Sequence, residues 1–433
     1  MSDEPQKPHT IDVPAATLEP GQSPAVQEPP PPSRWSTAAR QIVGGSAGVS
    51  VLAVLLALVV GGIMIAATDE TVKTTAGYFF ARPSDLLQAV WRAVSGAYSS
   101  LFQGSIYNFR RDGFAVGIKP LFDTLTFATP LIAAGLGVAL AFRVGLFNIG
   151  AQGQILIGAI FAGYVGTRVE APIVLHLVIA IAAGVLGGAL WGGIVGLLRA
   201  RTGASEVITT IMLNYVAFYL LFFLLSSPVL QAPGATNPKT AAIEPTAVLP
   251  RLLGPTYTLH LGFLLVIAAT FGVWWLLNRS AVGFQFRAVG ENPNAARVAG
   301  MDVGRLYVLA MLVSGGLAGL AAVNQVLGGS LTSGFAVGVD AGIGFDAITV
   351  ALLGQSRPWG VFFAGVLFGA LKAGGYSMQA QNGVPIDIIL VVQSVIVLLI
   401  AAPPLVRAVF RLPQPSGVPL RKPRSTSAAA VTK

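Results

Sequence analysis

Long apolar runs separated by short polar stretches dominate the chain between residues 41 and 410. Several runs continue for about 20 residues without a charged side chain, the length that a helix needs to cross a bilayer core. A transmembrane β-barrel would instead show short segments of alternating polarity. The pattern therefore predicts an all-α, polytopic integral membrane protein with about ten transmembrane helices. The predicted spans are 43–67, 120–142, 146–167, 172–198, 206–227, 259–278, 305–327, 341–354, 359–376 and 386–408.

The regions outside the predicted spans differ from one another. Residues 1–40 carry nine prolines before position 33 and residues 411–433 are basic, so both are predicted to be disordered tails. Residues 68–119 include "SDLLQAVWRAVSGAYSSLF", whose apolar positions recur at helical spacing. This pattern fits a helix on the membrane surface and, nearly as well, a helix packed on its neighbours. The 341–354 span is too short to cross unaided, so it is either tilted and extended or part of a broken helix.

Arginine and lysine are distributed unequally between the two sets of short loops. With the N-terminus in the cytoplasm, the inner loops carry eight of these residues and the outer loops three, which the positive-inside rule favours. Both tails are then cytoplasmic, 68–119 is extracytoplasmic and 279–304 is a cytoplasmic loop. The inner set is Arg143, Arg199, Arg201, Arg279, Arg287, Arg297, Arg305 and Arg357, and the outer set is Arg168, Lys239 and Arg251.

Composition agrees with the pattern and excludes several classes of protein. Hydrophobic residues make up 54% and charged residues 10% of the chain, against roughly a quarter charged in soluble domains. The chain has no cysteine, which excludes disulfides and thiolate sites. Membrane topology explains the net charge of +9, so no nucleic-acid partner is predicted. A phosphate-binding loop, clustered histidines and a nucleophile-elbow serine are all missing, so no catalytic residue, metal site or cofactor is predicted.

Side-chain amides inside the spans are the first candidates for function. The stretch "GLFNIGAQGQILIGA", from residue 145, places Asn148, Gln152 and Gln154 in an apolar run. In a helix, Asn148 and Gln152 would share one face, with Gln154 and Gly158 on a neighbouring stripe. An amide facing lipid would leave its polar atoms unpaired at a cost of a few kcal/mol, so these faces should point inward. They either hold helices together by hydrogen bonds or line a solute path.

Charged residues within the spans are rarer. Asp346 and Lys372 lie well inside predicted spans, which makes them functional candidates, and a pair between them is a hypothesis. For Asp123, Glu206 and Asp387, which lie near predicted helix ends, a helix-terminus role is favoured.

The longest predicted cytoplasmic loop contains a short helix. In "NRSAVGFQFRAVGENPNAARVAGMDVGR" (278–305), Asn292 is an N-cap and Pro293 occupies the first helical position. Gly300 falls where a left-handed C-terminal cap is expected. The small-residue surface of this helix fits a docking element for another protein or an ordinary interfacial connector.

Four ordered blocks resemble the permease subunits of bacterial ABC importers for nucleosides and simple sugars, within the group that includes ribose and branched-chain amino acid permeases. The resemblance covers roughly residues 70–410. It implies a multi-pass subunit of the cell membrane that works with a cytosolic ABC ATPase, a second permease and an extracytoplasmic solute-binding lipoprotein. In the nucleoside branch a heterodimer is favoured over a homodimer. The blocks are "ATPLIAAGLGVALAFRVGLFNIGAQGQILIGA" (128–159), "RTGASEVITTIMLNYVA" (201–217), "GFQFRAVGENPNAARVAGMDVGR" (283–305) and "GFDAITVALLGQSRPWG" (344–360).

The resemblance also implies roles for particular residues. The 283–305 loop resembles the segment that couples the permease to its ATPase. Gln152 stands where glutamate is common in the nucleoside branch. The residues expected in a groove of the ATPase are Asn292, Ala295, Ala296, Arg297 and Gly300. The residues predicted to line the substrate path are Asn148, Gln152, Gln154, Asn214 and Asp346.

The predicted function is ATP-driven import of a nucleoside or related small solute by alternating access. A simple-sugar or branched-chain amino acid permease of the same architecture is the alternative. A stand-alone secondary carrier or channel is disfavoured by the coupling-type loop, and a membrane scaffold would leave the inward amides unexplained. ATP hydrolysis would belong to a separate partner, so the chain itself is not expected to be an enzyme.

Overall fold

The structure is a computed structural model that describes residues 46–328 and 333–410 of the 433-residue chain. The predicted tails 1–40 and 411–433 lie outside these ranges. Within them, regular structure is helical and β-structure is limited to three isolated bridges. The α-helices are α1 Ser46–Thr68, α2 Glu70–Ala76, α3 Pro83–Ser105, α4 Phe114–Gly117, α5 Lys119–Arg143, α6 Ala151–Arg168, α7 Ile173–Thr202, α8 Glu206–Leu225, α9 Gly262–Arg279, α10 Ala281–Glu291, α11 Pro293–Val298, α12 Val303–Leu327, α13 Ile343–Leu353, α14 Pro358–Asn382, α15 Asp387–Ala401 and α16 Pro403–Val409.

Helix length and polarity confirm the all-α, polytopic membrane architecture. In the described ranges, seven helical stretches are long and apolar enough to cross a membrane, namely α1, α4 with α5, α7, α8, α9, α12 and α14. The 18-residue α6 has the length but is less apolar, because its first turns carry Gln152 and Gln154. The helices α13 and α15 are shorter apolar helices. These ten elements correspond to the ten predicted spans, and the short 341–354 span is the 11-residue α13.

The helices α7 and α12 pack with their backbones in direct contact. Gly184, Gly188 and Gly192 recur every four residues along α7. A methyl group added to Gly188 would lie 2.3 Å from the backbone oxygen of Gly315, and one added to Gly319 would lie 2.3 Å from the oxygen of Gly184. Because only glycine permits this approach, the two helices associate through small-residue faces, as membrane helices commonly do.

Two groups of helices make up the bundle. The larger core is formed by α5 to α9 with α12 to α14, and α6 lies at its centre against α7, α8 and α12. A second core joins α1, α3 and α15 to α14. The helix predicted within 68–119 is α3, and it packs closely on α14, where Gly104 lies beside Ser377. The helix α3 therefore packs on its neighbours, and its Trp91 remains 72% exposed.

The helix ends that carry the predicted inner arginines meet at one end of the bundle. Arg143 at the end of α5 donates from Nε to the oxygen of Ser356, at 2.9 Å. Arg199 near the end of α7 pairs with Glu206 at the start of α8, at 3.4 Å. At the opposite end, Asp123 accepts a hydrogen bond from the loop before α9, at 2.7 Å. We refer to the end of the bundle that carries Arg143 and Arg199 as the arginine-rich end.

Candidate functional site

The segment before α6 is not helical, and here the sequence interpretation is wrong. Gly145 has a φ of 78°, and the residues from 146 to 149 have no regular structure. The Asn148 side chain accepts a hydrogen bond from the backbone N–H of Gly150 at 2.8 Å, an Asx-type turn that leads the chain into α6. Asn148 and Gln152 therefore do not share a helical face.

Asn148 and Gln154 instead form a buried cluster with Ser314 of α12. The Asn148 Nδ2 donates to Gln154 Oε1 at 3.1 Å and to Ser314 Oγ at 2.9 Å. Ser314 in turn donates to the backbone oxygen of Gly137 in α5, at 2.7 Å. All three polar side chains are at most 1% exposed. These two amides join α5, α6 and α12, and the structure does not place them on an open path as the sequence prediction had it.

Gln152 lies on a different, partly exposed surface made by α6, α13 and α14. Its side chain lies close enough to interact with the carboxylate of Asp340, which precedes α13 and is 6% exposed. Asp346 in the first turn of α13 pairs with Lys372 of α14 at 2.6 Å, which confirms the hypothesis of a pair. Lys372 also lies close enough to Asp340 for their charges to interact. We refer to Gln152, Asp340, Asp346 and Lys372 as the polar patch.

A cavity of about 250 Å³ adjoins the polar patch between α6, α8 and α13. Asn214 lines it, but both atoms of its amide bind backbone: Oδ1 accepts from Gly153 N–H at 2.8 Å, and Nδ2 donates to Ile149 oxygen at 3.0 Å. Asn214 therefore fixes α8 to the start of α6, while Gln152 is the second amide of the cavity. The aromatic rings that line it are Tyr215, Phe218, Tyr219 and Phe345.

Two consecutive short helices, α10 and α11, lie at the arginine-rich end. The Asn292 side chain accepts hydrogen bonds from two backbone N–H groups in the first turn of α11, each at 3.0 Å. Gly300 has a φ of 83°, and the Met301 N–H donates to the oxygen of Ala296 at 3.0 Å, which completes a Schellman motif. The caps predicted at both ends of this helix are confirmed.

One side of α11 packs against the rest of the chain, and its other residues are exposed to solvent. Ala296 is 4% exposed and packs into the larger core, so it does not lie on the open surface where a partner's groove could receive it. Val298, next to these positions, is 92% exposed. The other residues expected to meet a partner are exposed, namely Asn292, Ala295, Arg297 and Gly300.

Most of the helical core matches one known family. Residues 121–401 match the family described as "Branched-chain amino acid transport system / permease component". The chain belongs to this permease family. The matched part of the permease contains the polar patch, the adjoining cavity and α11.

Individual relatives of the permease are transport subunits. It is 37% identical to the guanosine ABC transporter permease protein NupP of Bacillus subtilis over 322 residues, which are 73% of the permease and 88% of NupP. It is 35% identical to the glucose ABC transporter permease protein TsgB13 of Haloferax volcanii over 291 residues, 65% and 75% of the two chains. It is also 35% identical to the nucleoside ABC transporter permease protein NupB of Lactococcus lactis over 286 residues, 64% and 78%. No solved structure matches.

The permease is therefore a multi-pass transmembrane subunit of an ABC importer in the cell membrane. Subunits of this family work with ATPase and solute-binding partners. They are components of transport systems.

Sequence reasoning missed Asp340 and the aromatic rings of the cavity. Asp340 lies just before the short α13, in "GVDAGIGFD", where glycines alternate with a few side chains. Gly342 has a φ of 74°, and a methyl group on Gly344 would lie 2.5 Å from the Cα of Gln152. The high density of glycines was thus the sequence signal that the backbone of α13 approaches α6 closely at this point.

Proposed function

We propose that the permease carries a nucleoside by alternating access, and the cavity beside the polar patch is the observation that carries this proposal. The rings of Tyr215, Phe218 and Phe345 offer flat faces for a base to stack on. Gln152 offers a donor and an acceptor for base edges or sugar hydroxyls. The names of NupP and NupB support a nucleoside, and that of TsgB13 makes a simple sugar the second candidate.

In this proposal the predicted path residues have two different roles. Gln152 and Asp346 face the path, and Asn214 shapes its wall because its amide is bound to backbone. Asn148 and Gln154 hold the helices that frame the path. A neutral amide suits the task, since several weak contacts let a solute leave as well as enter.

The arginine-rich end faces the cytoplasm in this proposal and receives the ATPase at α10 and α11. Arg297 and Val298 are exposed there and can enter a partner's groove. Ala296 anchors α11 to the core, and α12 begins five residues after α11 ends. A push on α11 is thereby passed to α12 and to the α7 contact. A second, different permease closes the open side of the polar patch, and a lipoprotein delivers the solute from outside.

Uptake of labelled guanosine, labelled glucose and labelled leucine, each measured separately in cells that express the complete importer, tests the solute. Importer-dependent uptake of guanosine alone is expected. Uptake of glucose alone would assign the permease to sugars, and uptake of leucine alone would assign it to branched-chain amino acids.

A matched pair of variants tests the cavity. Gln152→Leu should slow uptake while the amount of permease in the membrane stays unchanged. Gln379→Leu changes an exposed glutamine near the far end of α14 and is the control. Equal uptake by the two variants would contradict a role for the cavity.

A further inference from the structure

Three arginines at the arginine-rich end share one cavity without a carboxylate. Arg143 of α5, Arg287 of α10 and Arg357 before α14 line a cavity of about 340 Å³ together with Trp274 and Trp359. Neither of the two ion pairs found among the described residues involves any of them. Arg143 is close enough to Arg287 and Arg357 to be repelled by both. Three like charges in one partly enclosed space are unfavourable unless an anion binds among them.

Local geometry also indicates an acceptor that comes from outside the described chain. Gln355 and Ser356 have φ values of 53° and 50°, which non-glycine residues rarely adopt. This turn holds the Ser356 oxygen on Arg143 and places Arg357 at the cavity. The Nη1 of Arg287 is buried and has no hydrogen-bond partner among the described residues. Buried donors are nearly always paired, so this nitrogen requires an explanation.

An apolar groove continues from the cavity along the membrane helices. It has a volume of about 450 Å³ and lies between α1 and α14, where Val51, Phe363 and Leu367 line it. Arg357 and Gly360 belong to both the groove and the cavity. The combined surface is therefore cationic at one end and apolar along its length. Trp274 and Trp359 flank the cationic end, as tryptophans do at membrane interfaces.

We propose that this surface binds an anionic phospholipid, with its phosphate among Arg143, Arg287 and Arg357 and an acyl chain in the groove between α1 and α14. Arginine suits this task because its planar fork binds phosphate oxygens in pairs. A free phosphate ion or a partner's carboxylate would occupy the cavity and leave the groove empty. The inference does not depend on the solute carried, and the orientation proposed above places the site in the inner leaflet.

Native mass spectrometry of the full-length permease tests the site. The protein is exchanged with equal amounts of dioleoyl phosphatidylglycerol and dioleoyl phosphatidylcholine, and phosphatidylglycerol should be retained preferentially. Arg357→Gln, at an exposed position, should lower this preference about fivefold, and the double variant Arg143→Gln/Arg357→Gln about twentyfold. Arg201→Gln changes an exposed arginine at the same end outside the cavity and should keep the full preference.

Further arms separate the possible ligands. Millimolar inorganic phosphate should not displace the lipid, and displacement would indicate a free-anion site instead. Val51→Trp, at an exposed position in the groove, should weaken retention of dioleoyl but not of dihexanoyl phosphatidylglycerol. Melting temperatures identify any variant that fails to fold, and Arg357→Lys should restore part of the preference lost in Arg357→Gln.

Two results would each overturn the proposal. The first is equal retention of the two lipids by the unmodified permease. The second is an unchanged lipid preference in Arg357→Gln, and if that variant also lost co-purification with the ATPase, the arginines would be assigned to a protein partner.

Discussion

A single methyl group added to Gly188 should destabilise the permease by separating α7 from α12. The new Cβ would lie 2.3 Å from the oxygen of Gly315 and 2.7 Å from the nitrogen of Gly319, whereas ordinary contacts begin near 3.4 Å. These are backbone atoms, so no side chain can rotate away, and the helices must part by about 1 Å. Such overpacking costs roughly 1–3 kcal/mol. Replacing glycine by alanine also raises helix propensity by up to about 1 kcal/mol, which is less than most of the overpacking range, so the net effect is destabilising.

Gly272→Ala is the matched control for this prediction. Gly272 lies on α9 and a Cβ there would meet nothing within 4 Å, so helix propensity is the main term that changes. Thermal unfolding of both variants in the same detergent gives the comparison. Gly188→Ala should melt lower than the parent, and Gly272→Ala at the same temperature or higher. Because the gain in helix propensity is common to both variants, their free energies of unfolding should differ by the overpacking cost of about 1–3 kcal/mol. Equal melting midpoints would refute the claim that backbone contact between α7 and α12 determines stability.

Three further predictions concern charge. Asp346→Asn and Lys372→Met should each lower the free energy of unfolding by about 3 kcal/mol, because each removes the ion-pair partner of a partly buried charge. The double variant should lose less than the sum of the two single losses, and additive losses in a double-mutant cycle would contradict the pair. Burial, with help from a neighbouring arginine, lowers the pKa of His260 from 6.5 to about 4. The stability contributed by neutral His260 is therefore complete above pH 6.5 and is lost towards pH 4, because only the unfolded chain takes up the proton in that window. The loss at pH 5 is about 2 kcal/mol. Melting curves of His260→Gln should be less sensitive to pH between 7.5 and 5, and an unchanged pH dependence would contradict this. Arg297→Glu should insert normally but abolish ATP-dependent uptake, and normal uptake would remove Arg297 from the ATPase contact.

Features that depend on a few neighbouring residues could be predicted from the sequence. The membrane spans follow from uninterrupted apolar runs, and the caps of α11 follow from Asn292 and Gly300, whose partners lie within one turn. Helix α10 was missed because it contains glycines, which disfavour a helix in isolation, and two of them are required by contacts with the backbone of α9 and α5. A methyl group on Gly283 would lie 1.9 Å from the oxygen of Leu276, and one on Gly290 would lie 2.2 Å from the oxygen of Arg143. Such contacts between elements leave only the glycines themselves as a sequence signal.

The amides near α6 show the limit of local reasoning more sharply. Their chemistry required hydrogen-bond partners, and that requirement was predicted correctly. The identity of the partners could not be, since Ser314 lies 166 residues from Asn148 in the chain. The helix start also shifted, because the Asx-type turn at Asn148 competes with helix in this segment. Three chemically similar residues therefore divide between a sealed cluster and an accessible surface.

The position of the polar patch supports the proposed second permease subunit. Asp346 and Lys372 keep 21% and 17% of their side chains exposed, and the neighbouring Tyr215 and Phe345 are 60% and 53% exposed. A charged side chain turned toward lipid at the bilayer centre costs roughly 2.5–3.5 kcal/mol even by lenient scales. A second permease against this face would remove that cost and leave a polar gap between the subunits. If the second permease differs in sequence, the two walls of the gap differ in chemistry, which suits a solute whose base and sugar need different contacts.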